Sequence, residues 1–193
     1  MRLMLDLFSG LGGASEAMVQ SDEWSVLRYD NNPVLADVPL TTICDLTNYE
    51  LKIRQQIELI WASPPCLEFS NAYNAPKPTA LRNGEEFEAD LSLVLRAKEI
   101  IEDLNPQFWI VENVVGAIKD FEPHLGKPRQ IIGPFVLWGN FPLLPISKDF
   151  KHNKADVDER YSPIRSNIRA KIPLEISEAL LDTLTNQKTL FDY

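Results

Sequence analysis

Four short apolar runs punctuate the chain: Leu3 to Leu7, Val26 to Tyr29, Leu59 to Ala62 and Phe108 to Val111. Runs of this length, apolar on successive residues, read as strands buried on both faces. Helical patterns fall between some of them. Leu93, Ala97, Ile100 and Leu104 recur at helical spacing, which predicts a helix over Asp90 to Leu104, packed on a sheet and stopped by Pro106. This alternation predicts an α/β fold. Thr42 to Cys44 is a further short run, and Phe135 to Trp138 reads as a late strand. Ile176, Leu180 and Leu184 are spaced by four, so a closing helix is expected over Leu174 to Leu184, with Pro173 at its tolerant start. The polar stretch from Asn71 to Glu88, with Pro76, Pro78 and Gly84, predicts a mobile loop that closes over a substrate. A second irregular segment is expected from Ser147 to Pro163, and the tail after Thr185 is expected to fray.

Composition narrows this picture. A chain of 193 residues with 45% hydrophobic content supports one compact domain over 1–193, completed by the closing helix. No stretch approaches the roughly 18 consecutive apolar residues of a membrane span, so no membrane partner is expected. Cys44 and Cys66 have neither the spacing of a metal site nor the number of a disulfide scaffold, which fits a reducing, cytoplasmic setting and no metal. Nineteen Lys and Arg against 28 Asp and Glu leave a formal charge of −9, which excludes a broad phosphate-gripping surface and leaves any nucleic-acid contact local. The basic residues gather late, at Lys148, Lys151, Lys154, Arg160, Arg165, Arg169 and Lys171, interrupted by Asp149, Asp156, Asp158 and Glu159. A solvated loop explains them equally well.

Three segments carry candidate chemistry. Asp6 to Gly13 (Asp-Leu-Phe-Ser-Gly-Leu-Gly-Gly) sets a glycine-rich turn between the first strand and a helix expected to begin near Ala14. Such turns bring backbone amides up to a ligand, and they also serve as plain tight connections. Asp30 ends the next strand, where an acidic side chain commonly receives ribose hydroxyls, and Asp45 follows the third run; both also fit ordinary turns. Ser63-Pro64-Pro65-Cys66-Leu67-Glu68-Phe69-Ser70 follows another strand, and its two prolines stiffen the approach to Cys66. A lone cysteine is usually a small buried hydrophobe; after this rigid turn it also reads as a positioned nucleophile. Glu112, in Val111-Glu112-Asn113-Val114, sits where the Phe108 to Val111 run ends, so an apolar wall there would raise its pKa; an ordinary solvated carboxylate at a strand end fits the pattern as well.

In this order and spacing the three segments resemble the cytosine carbon-5 DNA methyltransferase family, over about the first 115 residues. The resemblance implies a Rossmann-like S-adenosylmethionine-dependent sheet with flanking helices, in a truncated form. It implies that Phe8 packs on the adenine of S-adenosyl-L-methionine, that Asp30 binds the ribose and Asp45 the adenine amino group, with Ser9, Gly10, Gly12, Gly13 and Pro64 completing the pocket. Cys66, carried by Pro65, would attack carbon 6 of a flipped cytosine in DNA, Glu112 would activate the ring, and Asn113 would support the Pro-Pro-Cys turn. Ser70 belongs to the same substrate-facing motif. The family's Gln-x-Arg-x-Arg motif and its target-recognition region are not recognisable here. Arg129, with Lys127, and Arg165 and Arg169 are the nearest basic substitutes for holding substrate, and Ile168 to Leu184 takes the place of the last family motif. This reduced form resembles the small methylases of bacteriophages, which implies a bacterial or phage-infected cytoplasm. It leaves room for a homodimer or a separate recognition partner. Two other readings stay open at this point: pyrimidine carbon-5 modification of a free nucleotide, and an inactive accessory subunit of a DNA-modifying complex.

Overall fold

The computed structural model describes residues 1–147, 149–152 and 162–187. Seven strands form one sheet in the order β3-β2-β1-β4-β5-β7-β6. They are β1 (Arg2–Leu7), β2 (Trp24–Asp30), β3 (Thr41–Ile43), β4 (Leu59–Ala62), β5 (Phe108–Val114), β6 (Gln130–Ile132) and β7 (Phe135–Asn140). The first five are parallel, and β7 runs antiparallel to both β5 and β6. The order reverses between β1 and β4, and in such sheets the crevice at the strands' carboxyl ends beside that reversal is where ligands bind.

The apolar runs are explained by cover on both faces. On one face Leu3, Leu5, Leu7, Ile60, Ala62 and Val111 pack under helix α3 (Ser92–Leu104), whose Val94, Ala97, Ile100 and Ile101 are buried. On the other, Met4, Leu59, Trp61 and Ile110 pack under α1 (Glu16–Val19) and α6 (Leu174–Gln187). Alternate residues of β1 and β4 thus enter opposite cores, which is why both strands are apolar in succession except for Arg2 and the buried Asp6 of β1. No helix among the described residues is long and apolar enough to cross a membrane.

Several elements depart from the sequence expectation. The segment 71–88 is not simply a loop: α2 (Pro76–Asn83) lies within it, opened by a proline in its first turn and closed by Gly84 at φ 75°. An ion pair of 3.0 Å from Lys77 to Asp120 on α4 (Ile118–Leu125) ties this helix down. Its apolar residues were too few to show a helical stripe. The helix expected near Ala14 begins at Glu16 and lasts four residues. β5 runs on through Val114, because Glu112, Asn113 and Val114 still pair with Leu137, Val136 and Phe135 of β7. Within the irregular segment Ser147 to Pro163, residues 148 and 153–161 lie outside the described residues, including Lys148, Lys154, Asp156, Asp158, Glu159 and Arg160. The closing helix continues to Gln187, and residues 188–193 of the tail also lie outside them.

Candidate active site

The loop after β1 turns within a few residues by taking left-handed backbone at Phe8 (φ 56°), Gly10 (φ 54°) and Gly12 (φ 71°). The Gly10 amide donates to Asp30 Oδ2 at 2.8 Å, and Asp30 Oδ1 accepts from the Asn32 amide at 2.9 Å. Asp30 therefore fastens the glycine loop to the end of β2. The three glycines differ in what they do. At Gly10 a Cβ would meet nothing nearer than Asn167 Nδ2 at 3.9 Å, so this residue borders open space. A Cβ on Gly12 would overlap the Arg28 guanidinium, and one on Gly13 would overlap the Ile172 backbone. Gly12 and Gly13 are thus needed for close packing behind the loop.

That packing contains a buried polar network. Arg28 donates from Nε to Ser15 Oγ at 2.8 Å, from Nη2 to the Gly12 carbonyl at 2.9 Å and from Nη1 to the Pro39 carbonyl at 3.0 Å. Ser15 in turn donates to Asp6 at 2.5 Å. Burial pushes the Asp6 carboxyl above the usual carboxylate range, while Ser15 and Arg28 oppose the rise. The network holds the underside of the glycine loop, and the sequence showed no pattern that would have revealed it.

Beside the loop lies α5 (Arg165–Ala170), whose Asn167 borders Gly10. Ser9 Oγ, Asn167 Oδ1 and Arg165 Nε are buried with no hydrogen-bond partner among the described residues. Asn167 is next to Gly10, and a cluster of unmet polar atoms beside open space is the kind of lining a polar ligand satisfies. Phe8 is half-buried against the α3-side core. Asp45 is exposed and caps its own turn, accepting from the Thr47 amide at 3.0 Å, Thr47 Oγ1 at 2.7 Å and Asn48 Nδ2 at 3.1 Å.

The Pro-Pro-Cys turn leaves β4 at the neighbouring carboxyl end. Its start is pinned by the Ser63 amide, which donates to the Leu7 carbonyl at 3.1 Å. Asn113 on β5 donates from Nδ2 to the Pro64 carbonyl at 2.9 Å, a buried bond between the two motifs. Pro64 is buried and Pro65 exposed. Further on, Phe69 packs edge-to-face on Phe121 at 4.9 Å, and its carbonyl approaches Gly116 so closely that a Cβ there would overlap it. Ser70 Oγ accepts from the Ala72 amide at 3.2 Å. Cys66, half-buried and in no disulfide among the described residues, is therefore carried by a turn held at both ends.

Glu112 is 8% exposed. Burial raises its pKa from 4.5 to about 7, against a hydrogen bond from Ser63 that lowers it. β4 stops at Ala62, opposite Val111, so beyond that pair β5 has the Pro-Pro-Cys turn on its β4 side while still pairing with β7 on the other. The carboxyl end of the sheet thus carries the cysteine and the buried acid on neighbouring strands.

A sequence model of the family described as C-5 cytosine-specific DNA methylase matches residues 3–125, which includes the glycine loop, the Cys66 turn and Glu112. The chain belongs to this family. Over 125 residues it is 31% identical to a Frog virus 3 (isolate Goorha) protein named as a probable DNA (cytosine-5)-methyltransferase. That alignment covers 61% of this chain and 56% of the viral protein, so the chain spans little more than half the length of its relative. Among solved structures, an E. coli prophage protein described as a DNA modification methyltransferase superposes with a TM-score of 0.49 at 20% identity, covering 72% of this chain and 47% of that one. The N-terminal domain of human METTL16 in complex with SAH superposes with a TM-score of 0.40 at 10% identity, covering 74% of this chain and 62% of that one.

For a member of this family, the basic residues are arranged differently from the sequence expectation. Arg129 precedes β6, and its Nε donates at 3.3 Å to the carbonyl of Phe141, just past the amino-edge end of β7. Arg165 and Arg169 are on α5, beside the loop after β1. Four strand spacings separate β1 from β6, about 19 Å at about 4.8 Å each. Lys127 and Arg129 thus precede the edge strand β6, whereas Arg165, Arg169 and Lys171 belong to α5 and its C-terminal end. Lys171 is itself engaged by Glu16 at 2.7 Å.

Proposed function

We propose that this chain transfers a methyl group from S-adenosylmethionine to carbon 5 of cytosine in DNA, through a covalent adduct at Cys66. The observation that carries this reading is the Asn113 to Pro64 hydrogen bond, which locks the Cys66 turn to the strand bearing Glu112. A nucleophile and an acid held on one rigid frame act on two positions of one ring.

The lining of the loop after β1 fits the cofactor. Gly10 leaves space, Ser9 and Asn167 bring unmet polar atoms, Asp30 ends β2 with a carboxylate, and Phe8 supplies an aromatic face. Ser9, Gly10, Asp30 and Asn167 are the residues we assign to holding it, with Phe8 and Asp45 towards the adenine and Pro64 at the methyl end. Gly12 and Gly13 act by allowing the loop to pack. When bound, S-adenosylmethionine supplies an electrophilic methyl group on a sulfonium sulfur.

The base must leave the duplex stack, since carbon 6 is not open to attack within it. Cys66, as thiolate, forms a bond to carbon 6, and electrons move towards ring nitrogen 3. Glu112, neutral in its buried setting below about pH 7, gives its proton to nitrogen 3 as that charge develops. Carbon 5 is thereby made nucleophilic and takes the methyl group. Loss of the carbon-5 proton to a base then expels the Cys66 thiolate, and nitrogen 3 returns its proton to Glu112. Ser70 and Pro65 shape the turn that presents Cys66, while Arg165 and Arg169, on the helix whose Asn167 borders Gly10, are assigned to holding phosphates.

A duplex carrying 5-fluorocytosine tests the covalent step, because fluorine at carbon 5 cannot leave as a proton. An adduct on Cys66 is expected in the intact mass, absent from Cys66→Ala, with calorimetric S-adenosylmethionine affinity equal in the two proteins. Turnover of ordinary DNA without an adduct on the fluorinated duplex would remove the covalent mechanism.

A further inference from the structure

Trp61, Ser63 and Glu112 form a line across two neighbouring strands. The last pair of β4 and β5 is Ala62 with Val111, so Ser63, the first residue after β4, follows on beside Glu112 of β5. Trp61, two residues before Ser63, points to the same face, and it is wholly buried. Its indole N–H donates to Ser63 Oγ at 2.8 Å. An indole nitrogen can only donate, so the serine oxygen must act as acceptor there and its own proton is left for another partner. That partner is the Glu112 carboxyl.

We propose that Ser63, oriented by Trp61, is a positioning residue for Glu112: it occupies one carboxyl oxygen and leaves the other to face the base. The proposal rests on the reading of Glu112 as the acid of the reaction. A carboxyl rotating freely would present either oxygen, and only one arrangement puts a proton in line with ring nitrogen 3. Ser63 removes that freedom. Because its O–H bonds more strongly to a carboxylate than to a neutral acid, it also restrains the rise that burial imposes.

Little else acts on this carboxyl. β4 and β7, the strands on either side of β5, carry no ionisable side chain. The Pro-Pro-Cys turn brings Cys66 and Glu68, and Glu68 accepts from the Asp90 amide at 2.6 Å. On the face shared with Trp61, α1 brings Glu16, which is tied to Lys171, while α5 brings Arg165 and Arg169 and α6 brings Glu175, Glu178 and Asp182. Among the described residues, burial and the Ser63 hydrogen bond are the causes of the Glu112 shift.

The test is the titration of Glu112 followed by carbon-13 NMR of the carboxyl, with Glu112→Gln used to assign the signal. In Ser63→Ala the midpoint should rise by about one pH unit, the tenfold change expected for a hydrogen bond to a charged group. Ser63→Thr, which keeps a hydroxyl, should stay near wild type. Trp61→Phe should move the midpoint in the same direction by less, and it carries the comparison if Ser63→Ala does not fold. In methyl transfer, Ser63→Ala should lower kcat, leave the calorimetric cofactor affinity unchanged and carry the alkaline limb of the pH profile upward. An unchanged titration in Ser63→Ala, or in Trp61→Phe where only that variant folds, overturns the proposal. A Ser63-dependent titration in a protein that methylates no cytosine would instead overturn the proposed function and leave the hydrogen-bonded line standing.

Discussion

Glu112 links chemistry to stability at the level of a single proton. Its folded pKa of about 7 lies above the ordinary 4.5, so between those values the folded chain holds a proton that the unfolded chain has released. The stability from the neutral buried form is complete below about pH 4.5 and is lost as pH rises through about 7, a total of about 3 kcal/mol. Glutamine keeps the shape and cannot ionise. Glu112→Gln should therefore resist urea better than wild type at pH 8 and no better at pH 4.5, while kcat falls by at least about 100-fold. Urea titrations at the two pH values check the first part and initial rates the second. Equal urea resistance of the two proteins at pH 8 would mean that the carboxylate is not held at a cost in the folded state. Asp6, also raised by burial, adds a slope of the same sign that the variant retains.

At the scale of elements, the weak member is α1. Four residues are too few to hold a helix by their own hydrogen bonds, so its position must come from packing. α6 supplies it: Ser177 Oγ donates to the Ala14 carbonyl at 2.8 Å and accepts from the Ala17 amide at 3.0 Å, in a fully buried position. Ala14 directly follows the glycine loop, so α6, distant in sequence, holds the loop in register. Removing this hydroxyl leaves two backbone groups unmet. Ser177→Ala should cost about 1–3 kcal/mol in denaturant unfolding, and it should weaken S-adenosylmethionine binding by calorimetry although Ser177 touches no ligand. A stability loss with unchanged cofactor affinity would show that the loop keeps its shape without α6.

Across the whole molecule, the distribution of charge limits how DNA is held. The chain is acidic overall, and among the described residues Arg165 and Arg169 are on α5, beside the loop after β1, while Arg129 precedes the edge strand β6. Two or three phosphate contacts give a slope on the order of −2 to −3 in log affinity against log salt. Reading several base edges in a major groove needs several side chains placed along them, and the proposed function already assigns the described residues at the carboxyl end to cofactor and catalysis. Bisulfite sequencing of a plasmid treated with this 193-residue chain should show modification at many cytosines that share at most one or two flanking bases. A single strictly modified site of four or more base pairs would show that a compact recognition element operates within it.

What the sequence determined by itself was local or periodic. The apolar runs marked β1, β2, β4 and most of β5, because burial on two faces demands apolar residues in succession. Helical spacing marked α3 and α6. Cys66, Glu112 and the glycine loop were legible because each lies in a short motif after or near the end of a strand. Tertiary structure decided the rest. Asn167 reaches Gly10 only because α5 folds back over a loop more than 150 positions earlier, and Arg28 and Ser177 gain their roles from partners on other elements. Ser63 becomes part of the acid's surroundings only when β4 and β5 are side by side in one register. The surroundings of Arg129 come from the same source: its place is set by the antiparallel β6–β7 pair, where its Nε meets the Phe141 carbonyl. Periodicity reports which residues must be buried, whereas strand order and register decide which buried residues meet.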